Sequence, residues 1–252
     1  AMTNGVLNKF REFFNRKSGL GYVCALLSLY TLVAFHYPFF DYVAENVSSD
    51  FSGVWLVGSL AVVMFALNYL IYYLLLFCGR VVGKSIVALS LVADAFCFYF
   101  ITTYNVLIDR SMMANFYNTQ YSEASSFLSW GMLLYALLLG VLPAVLLLCK
   151  RVDYGSAKGL LRNLGIALAV ILAVVGSNYK NTFWIDRHAP VIGSKLMPWS
   201  YTINSFRHFN HQRKANQKEI ILPELQHAPA HKRQSGCCTL PRSEAHPSPE
   251  RP

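Results

Sequence analysis

Asn115, Thr119 and Glu123 recur at every fourth position in a polar segment, Tyr104 to Glu123, that separates two apolar runs. On a helix four residues turn through about 400°, so each of the three would lie ~40° from the last and ~6 Å further along the axis. An amide, a hydroxyl and a carboxylate in such a row suit a small cationic headgroup. The acid supplies charge and the other two supply directed hydrogen bonds. Spacing alone fits a solvated polar face at least as well, with Asn118 or Ser122 starting the next helix. A second candidate is Asp94, the one charge set deep inside an apolar run. An intramembrane carboxylate is costly and marks a functional site by default. No second charged side chain lies in the runs to form a relay, and a hydrogen bond to Asn68 or a tyrosine is the plain alternative.

The elements that must position these residues are long apolar runs. The 252-residue chain is 54% hydrophobic and only 14% charged, against about 25% charged residues in soluble domains. Five runs, at about 18–40, 54–78, 85–107, 127–149 and 160–177, each approach the ~20 residues that cross a bilayer. Backbone amides in lipid must be satisfied within the segment, so each run is expected to be helical. Pro143 lies inside the fourth and should kink it. The expected fold class is therefore an all-α membrane protein of five transmembrane helices. Cys24, Cys78, Cys97 and Cys149 sit in or beside these runs as small hydrophobes, and the six cysteines show no metal-ligand spacing.

The basic residues suggest an orientation. Lys9, Arg11, Arg16 and Lys17, then Arg80 and Lys84, then Lys150, Arg151, Lys158 and Arg162 flank one side of the runs. The loops on the other side, 41–53 and 108–126, hold Arg110 alone, together with Asp41, Glu45, Asp50, Asp109 and Glu123. The positive-inside rule then puts the N-terminus in the cytoplasm. Trp55, Trp130 and Trp184 fit the outer headgroup layer. The organisation expected is a basic N-terminus (1–17), a five-helix domain (18–177) with an outer loop at 108–126, a juxtamembrane linker (178–222) and a disordered tail (223–252). No cleavable signal peptide is evident, because the run after the basic start lacks a small-x-small site. The linker alternates Trp184, Leu196, Met197 and Trp199 with Lys195, Arg207 and His208. It fits a helix lying in the interface or a solvated basic segment equally.

The string Ile108-Asp-Arg-Ser-Met-Met-Ala-Asn115, with Thr119 and Glu123, resembles the periplasmic loop of the lipid A phosphoethanolamine transferases, the family whose mobile members confer colistin resistance. The likeness extends back through Tyr99-Phe-Ile-Thr-Thr-Tyr104 and forward through Lys195-Leu-Met-Pro198 to Asn210-His-Gln-Arg213. Roughly residues 10–222 fit that family's N-terminal membrane domain. The resemblance implies a multi-pass protein of the bacterial inner membrane whose C-terminal segment is periplasmic. It also implies that Asn115, Thr119 and Glu123 line the site for phosphatidylethanolamine, the donor. Asp109 and Arg110 match as well, either as substrate contacts or as an ion pair holding the loop. A lipid and a membrane, not nucleic acid, are the expected partners.

In the resembled family a periplasmic alkaline-phosphatase-like domain follows, with a threonine nucleophile in a Gly-Glu-Thr-like motif and acidic and histidine ligands for zinc. Metal there would lower the nucleophile's pKa and neutralise phosphoryl charge. No Gly-Glu-Thr or Gly-Glu-Ser occurs in this chain. From Pro223 onward it holds six of the ten prolines, with His227, His231 and His246 at spacings that match no closed metal site. The expectation is a truncated or frameshifted reading frame, out of frame from about residue 228. On that expectation the chain has no catalytic residues and no cofactor of its own, and no transfer activity alone. Two other readings are an inactive fragment and a small transporter. Only Asp94 and Pro143 support the transporter, and no inverted repeat is visible.

Overall fold

The computed structural model describes residues 16–119 and 129–219. Contacts divide the chain at Asn210. The fold below concerns the first unit, and the described part of the second, 211–219, is helical throughout. Apart from one pairing of two-residue strands, every regular element among the described residues is helical.

The first apolar run is not one straight helix, as 18–40 led one to expect. It breaks into α1 (Leu20–Phe35) and α2 (Tyr37–Asn46), which meet at 61°. Pro38 explains the break. It has no N–H for the ladder, and its ring would collide with the carbonyl four residues back, on Ala34. His36 takes the corner, fully buried, with Nδ1 donating to the Thr31 carbonyl at 2.9 Å. The other spans are α3 (Phe51–Cys78), α4 (Val82–Tyr104), α6 (Trp130–Cys149) and α7 (Ala157–Ser177), each long and apolar enough to cross a membrane. With the bent pair counted as one they make five. Between α4 and α6 lies α5 (Arg110–Asn118).

α3 is the hub, packing against α1, α4 and α7, while α6 packs on α4. Two glycines permit the close crossings. A Cβ on Gly83 would run into the Leu75 carbonyl, and one on Gly140 would sit 2.9 Å from the Val92 Cα. The core joins Phe35, Tyr72, Leu76, Val87, Leu91 and Ala95. α7 is largely exposed, with Leu161 and Leu172 at 71% and 63%, as a lipid-facing helix should be.

Pro143 sits where the helix changes type. Residues Ala136–Val141 wind as a π-helix immediately before it, and the chain continues helically to Cys149. Proline cannot donate to the carbonyl of Leu139, four residues earlier. The Tyr30 hydroxyl donates to that carbonyl at 2.7 Å instead. A wide π turn, with one carbonyl satisfied from a neighbouring helix, accommodates the proline.

One end of the bundle is basic and tied together. Ser18–Gly19 pairs in parallel with Val152–Asp153. Lys84 Nζ donates to the Lys150 carbonyl at 2.6 Å, and the Arg80 guanidinium lies 5.5 Å from the centre of the Tyr154 ring.

Residues 182–210, expected as linker, pack into the bundle. They form α8 (Thr182–Lys195) and most of α9 (Trp199–Glu219). Trp184 does more than mark a headgroup layer: its Nε1 donates to the Asn46 carbonyl at 3.0 Å, and its ring stacks on His188. Met197 and Ser200 are buried at 0% and 1%. Trp199 Nε1 donates to Asn68 Oδ1 at 3.0 Å.

Candidate functional site

The polar segment is organised from both ends. α4 stops at Asn105, whose left-handed backbone (φ 51°) turns the chain out of the helix. Asparagine tolerates that conformation better than most side chains. Ile108 is then buried at 3% and anchors the entry into α5. Asp109 starts α5: its Oδ1 accepts from the Met112 amide at 2.8 Å and from the Ser111 hydroxyl at 2.7 Å. At the far end Ser129 caps α6 by accepting from the Met132 amide at 3.2 Å, and its hydroxyl meets that of Tyr99 at 2.7 Å. Tyr99 thus ties the point where the segment returns to the point where it left.

Asn115 lies exposed on α5. The helix ends three residues later, and Thr119 follows as its C-cap in extended backbone. The Thr119 hydroxyl donates to the Asn115 carbonyl at 2.6 Å. The two residues are therefore adjacent, but a single helix does not carry the row onward from Thr119. Glu123 lies outside the described residues. Arg110 is exposed in the first turn of α5. The Asp109 carboxylate is committed to its own helix start, which gives it a structural task whatever else it touches.

Burial works against the charged form of Asp109. The Met112 amide and the Ser111 hydroxyl and amide outweigh that effect and hold its carboxyl below the usual carboxylate range. A carboxylate that is more acidic when folded stabilises the helix start fully above about pH 4, the range of a free aspartate, and less as pH falls through its lowered value. Asp109→Ala is expected to cost about 1 kcal/mol at neutral pH, a roughly fivefold rise in local opening. Hydrogen exchange of the 111–113 amides reads this directly. Asp109→Asn, still an acceptor, should restore most of the protection.

Sequence reasoning missed the contacts that aim α5. The Tyr117 ring stacks on His208 with centroids 5.6 Å apart and packs on Phe209 at 4.9 Å. Its hydroxyl donates to the Ser205 hydroxyl at 3.1 Å. Asn204 Nδ2 donates to the Ile108 carbonyl at 2.8 Å. Ser200, Asn204 and His208, spaced by four, are the buried stripe of α9. That spacing was visible in the sequence, but three polar side chains give no hydrophobic periodicity by which to read a buried face.

Asp94 lies deep in the bundle, 0% exposed, among Tyr30, Tyr72, Cys97 and Tyr201. Tyr201 lies beside the carboxyl, but neither carboxyl oxygen has a hydrogen-bond partner of good geometry. The Tyr201 hydroxyl reaches the Ser90 carbonyl at 3.5 Å. Asn68, the alternative partner, accepts from Trp199 at its Oδ1, while its Nδ2 is buried without a hydrogen-bond partner and does not bond the Asp94 carboxyl. Among the described residues no three His, Cys, Asp or Glu side chains gather as a metal-ligand set, so they do not fit a zinc centre.

Residues 51–213 match the family described as phosphoethanolamine transferase EptA/EptB. A phosphoethanolamine transferase EptA of Helicobacter pylori is 31% identical over 183 residues, which are 72% of this chain and 34% of that protein. The Escherichia coli phosphatidylethanolamine transferase Mcr-1 is 28% identical over 205 residues, 78% of this chain and 37% of its own length. Among solved structures, the integral membrane lipooligosaccharide phosphoethanolamine transferase A (EptA) from Neisseria meningitidis superposes with a TM-score of 0.71 at 24% identity. The match covers 80% of this chain and 38% of that one, and it shows a shared fold. The chain thus spans little more than a third of the length of these relatives.

Proposed function

This chain belongs to the EptA/EptB family of phosphoethanolamine transferases, and from that premise we propose that it is the membrane part that holds the donor lipid, phosphatidylethanolamine, for transfer of its headgroup to lipid A. The family match and the apolar helices make it a multi-pass membrane protein. The inner membrane is its location, with α5 and α8 on the periplasmic side, on the strength of the basic residues gathered at the opposite end of the bundle.

One observation carries the reading. α5 is a short polar helix fixed at its start by Asp109 and gripped along one side by Tyr117, and it leaves Asn115 exposed next to Thr119. A helix presenting an amide, and followed five residues after its end by a carboxylate, suits an ammonium headgroup with a neighbouring phosphate. Glu123 supplies the charge, Asn115 the directed hydrogen bond, and Thr119 sets the exit of the chain. Arg110 lies one turn earlier on α5, where a guanidinium suits the phosphate.

These residues bind and orient. In the complete enzyme a zinc-dependent nucleophile would break the phosphate ester, and the part described here would present the donor to it.

The test uses the chain in phosphatidylcholine nanodiscs, with phosphatidylethanolamine retention read by mass spectrometry of the purified discs. Asn115→Ala and Glu123→Ala are each expected to lower retention about tenfold. A hydrogen bond to a charged group contributes roughly 1.5–3 kcal/mol, and 1.4 kcal/mol is tenfold. Retention equal to that of the unaltered chain in both variants would remove this row from the donor site.

A further inference from the structure

We propose that the cleft between α1 and the second half of α6 binds an anionic phospholipid, with an acyl chain in the cleft and the phosphate at its Lys150 end. This inference does not depend on the donor site. The two lie at opposite ends of α4, roughly 30 Å apart by the rise of a helix.

The cleft has a volume of about 220 Å³. Its walls are helical stripes: Val23, Leu26, Leu27 and Tyr30 on α1, and Pro143, Leu146 and Leu147 on α6. Val23, Leu27 and Leu147 form a buried floor, while Leu26 and Leu146 stand exposed at its mouth. The hydrogen bond from Tyr30 to the Leu139 carbonyl closes the inner end. The shape is an apolar slot with exposed leucines at its mouth and polar groups at one end.

The open end carries positive charge. Ser18 and Lys150 line it. The Ser18 amide donates to the Arg151 carbonyl at 3.1 Å, which draws the exposed Lys17 and Arg151 to the same corner. The acidic side chain of that strand pair, Asp153, accepts from the Gly155 amide at 3.2 Å. A tail gains nothing hydrophobic by leaving other tails, since lipid is as apolar as leucine. Selectivity must come from the headgroup, and basic side chains at a membrane surface favour anionic over zwitterionic lipid. That argument commits the cleft to an anionic phospholipid rather than to any lipid at hand.

The experiment places the photoreactive p-benzoylphenylalanine at Leu146 in the full chain, reconstituted in nanodiscs of phosphatidylethanolamine and phosphatidylglycerol at a fixed ratio. Lipid adducts are identified by mass spectrometry after irradiation. Phosphatidylglycerol adducts are expected at roughly fivefold above its share of the disc. The same probe at Leu161, exposed on α7 beside Lys158 and Arg162, should show at most the weaker enrichment that surface charge alone gives. Exchanging the exposed pair, Lys17→Gln with Arg151→Gln, should return Leu146 to the bulk ratio without disturbing the fold. The proposal is overturned by a bulk ratio at Leu146, by equal enrichment at Leu161, by crosslinks to a second copy of the chain, or by enrichment that survives loss of the two charges.

Discussion

Asp94→Lys is expected to abolish recovery of folded chain from membranes, whereas Asp94→Asn should leave the yield and the thermal midpoint close to those of the unaltered protein. The position is 0% exposed, enclosed by the rings of Tyr30, Tyr72 and Tyr201 and by core residues such as Leu91. No acidic group faces it to receive an ammonium, and a charge at the centre of a spanning helix costs about 3 kcal/mol even on lenient scales. A lysine here could not reach the headgroups by snorkelling, because α3 and the start of α9 close the way out. Asparagine keeps the shape and the polar atoms of aspartate and carries no charge. Size-exclusion profiles and thermal unfolding in detergent separate the two outcomes. A well-folded Asp94→Lys protein would mean that water or an anion reaches the site, and the packed interior described for α4 would be wrong.

The second large effect is expected at Gly83, where α4 leaves the tight turn after α3. Any Cβ there would overlap the Leu75 carbonyl, a backbone atom that cannot swing aside. Gly83→Val must therefore push the two helices apart along their contact. That shift would also disturb the tie between Lys84 and Lys150 in the next residue. Overpacking of this kind costs about 1–3 kcal/mol in a core that can adjust, and a backbone clash at a helix crossing belongs at the upper end. The measurement is thermal unfolding of the purified chain beside Gly165→Val. Gly165 has open space around its Cβ position and should tolerate the change. Equal midpoints for the two variants would refute the close crossing.

Local rules were legible in the sequence. The apolar lengths of α3, α4, α6 and α7 follow from composition, because a helix is the only way to satisfy backbone groups in lipid. The polar string from Ile108 to Asn115 marked the candidate segment, and its aspartate fell where a helix start needs an acceptor. The family was readable from that string together with the matching stretches at 99–104 and 195–213.

What depended on distant partners was not legible. The break at His36 had a local cue in Pro38, yet the uninterrupted apolar run concealed it. The effect of Pro143 was decided by Tyr30, more than a hundred residues away, whose hydroxyl satisfies the carbonyl that proline leaves bare. Asn68 had looked like a partner for Asp94, but packing leaves its Nδ2 short of the carboxyl and turns its Oδ1 to the Trp199 indole. The juxtamembrane residues fitted an interfacial helix or a solvated basic segment equally, and the stripe of Ser200, Asn204 and His208 that packs carries no hydrophobic periodicity to mark it. The sequence by itself determined which segments enter the membrane and which carry polar chemistry, since hydrophobicity and capping act within a few residues. Only the tertiary structure decided how the site helix is held and which buried polar groups meet, since those contacts join residues that lie far apart in the chain.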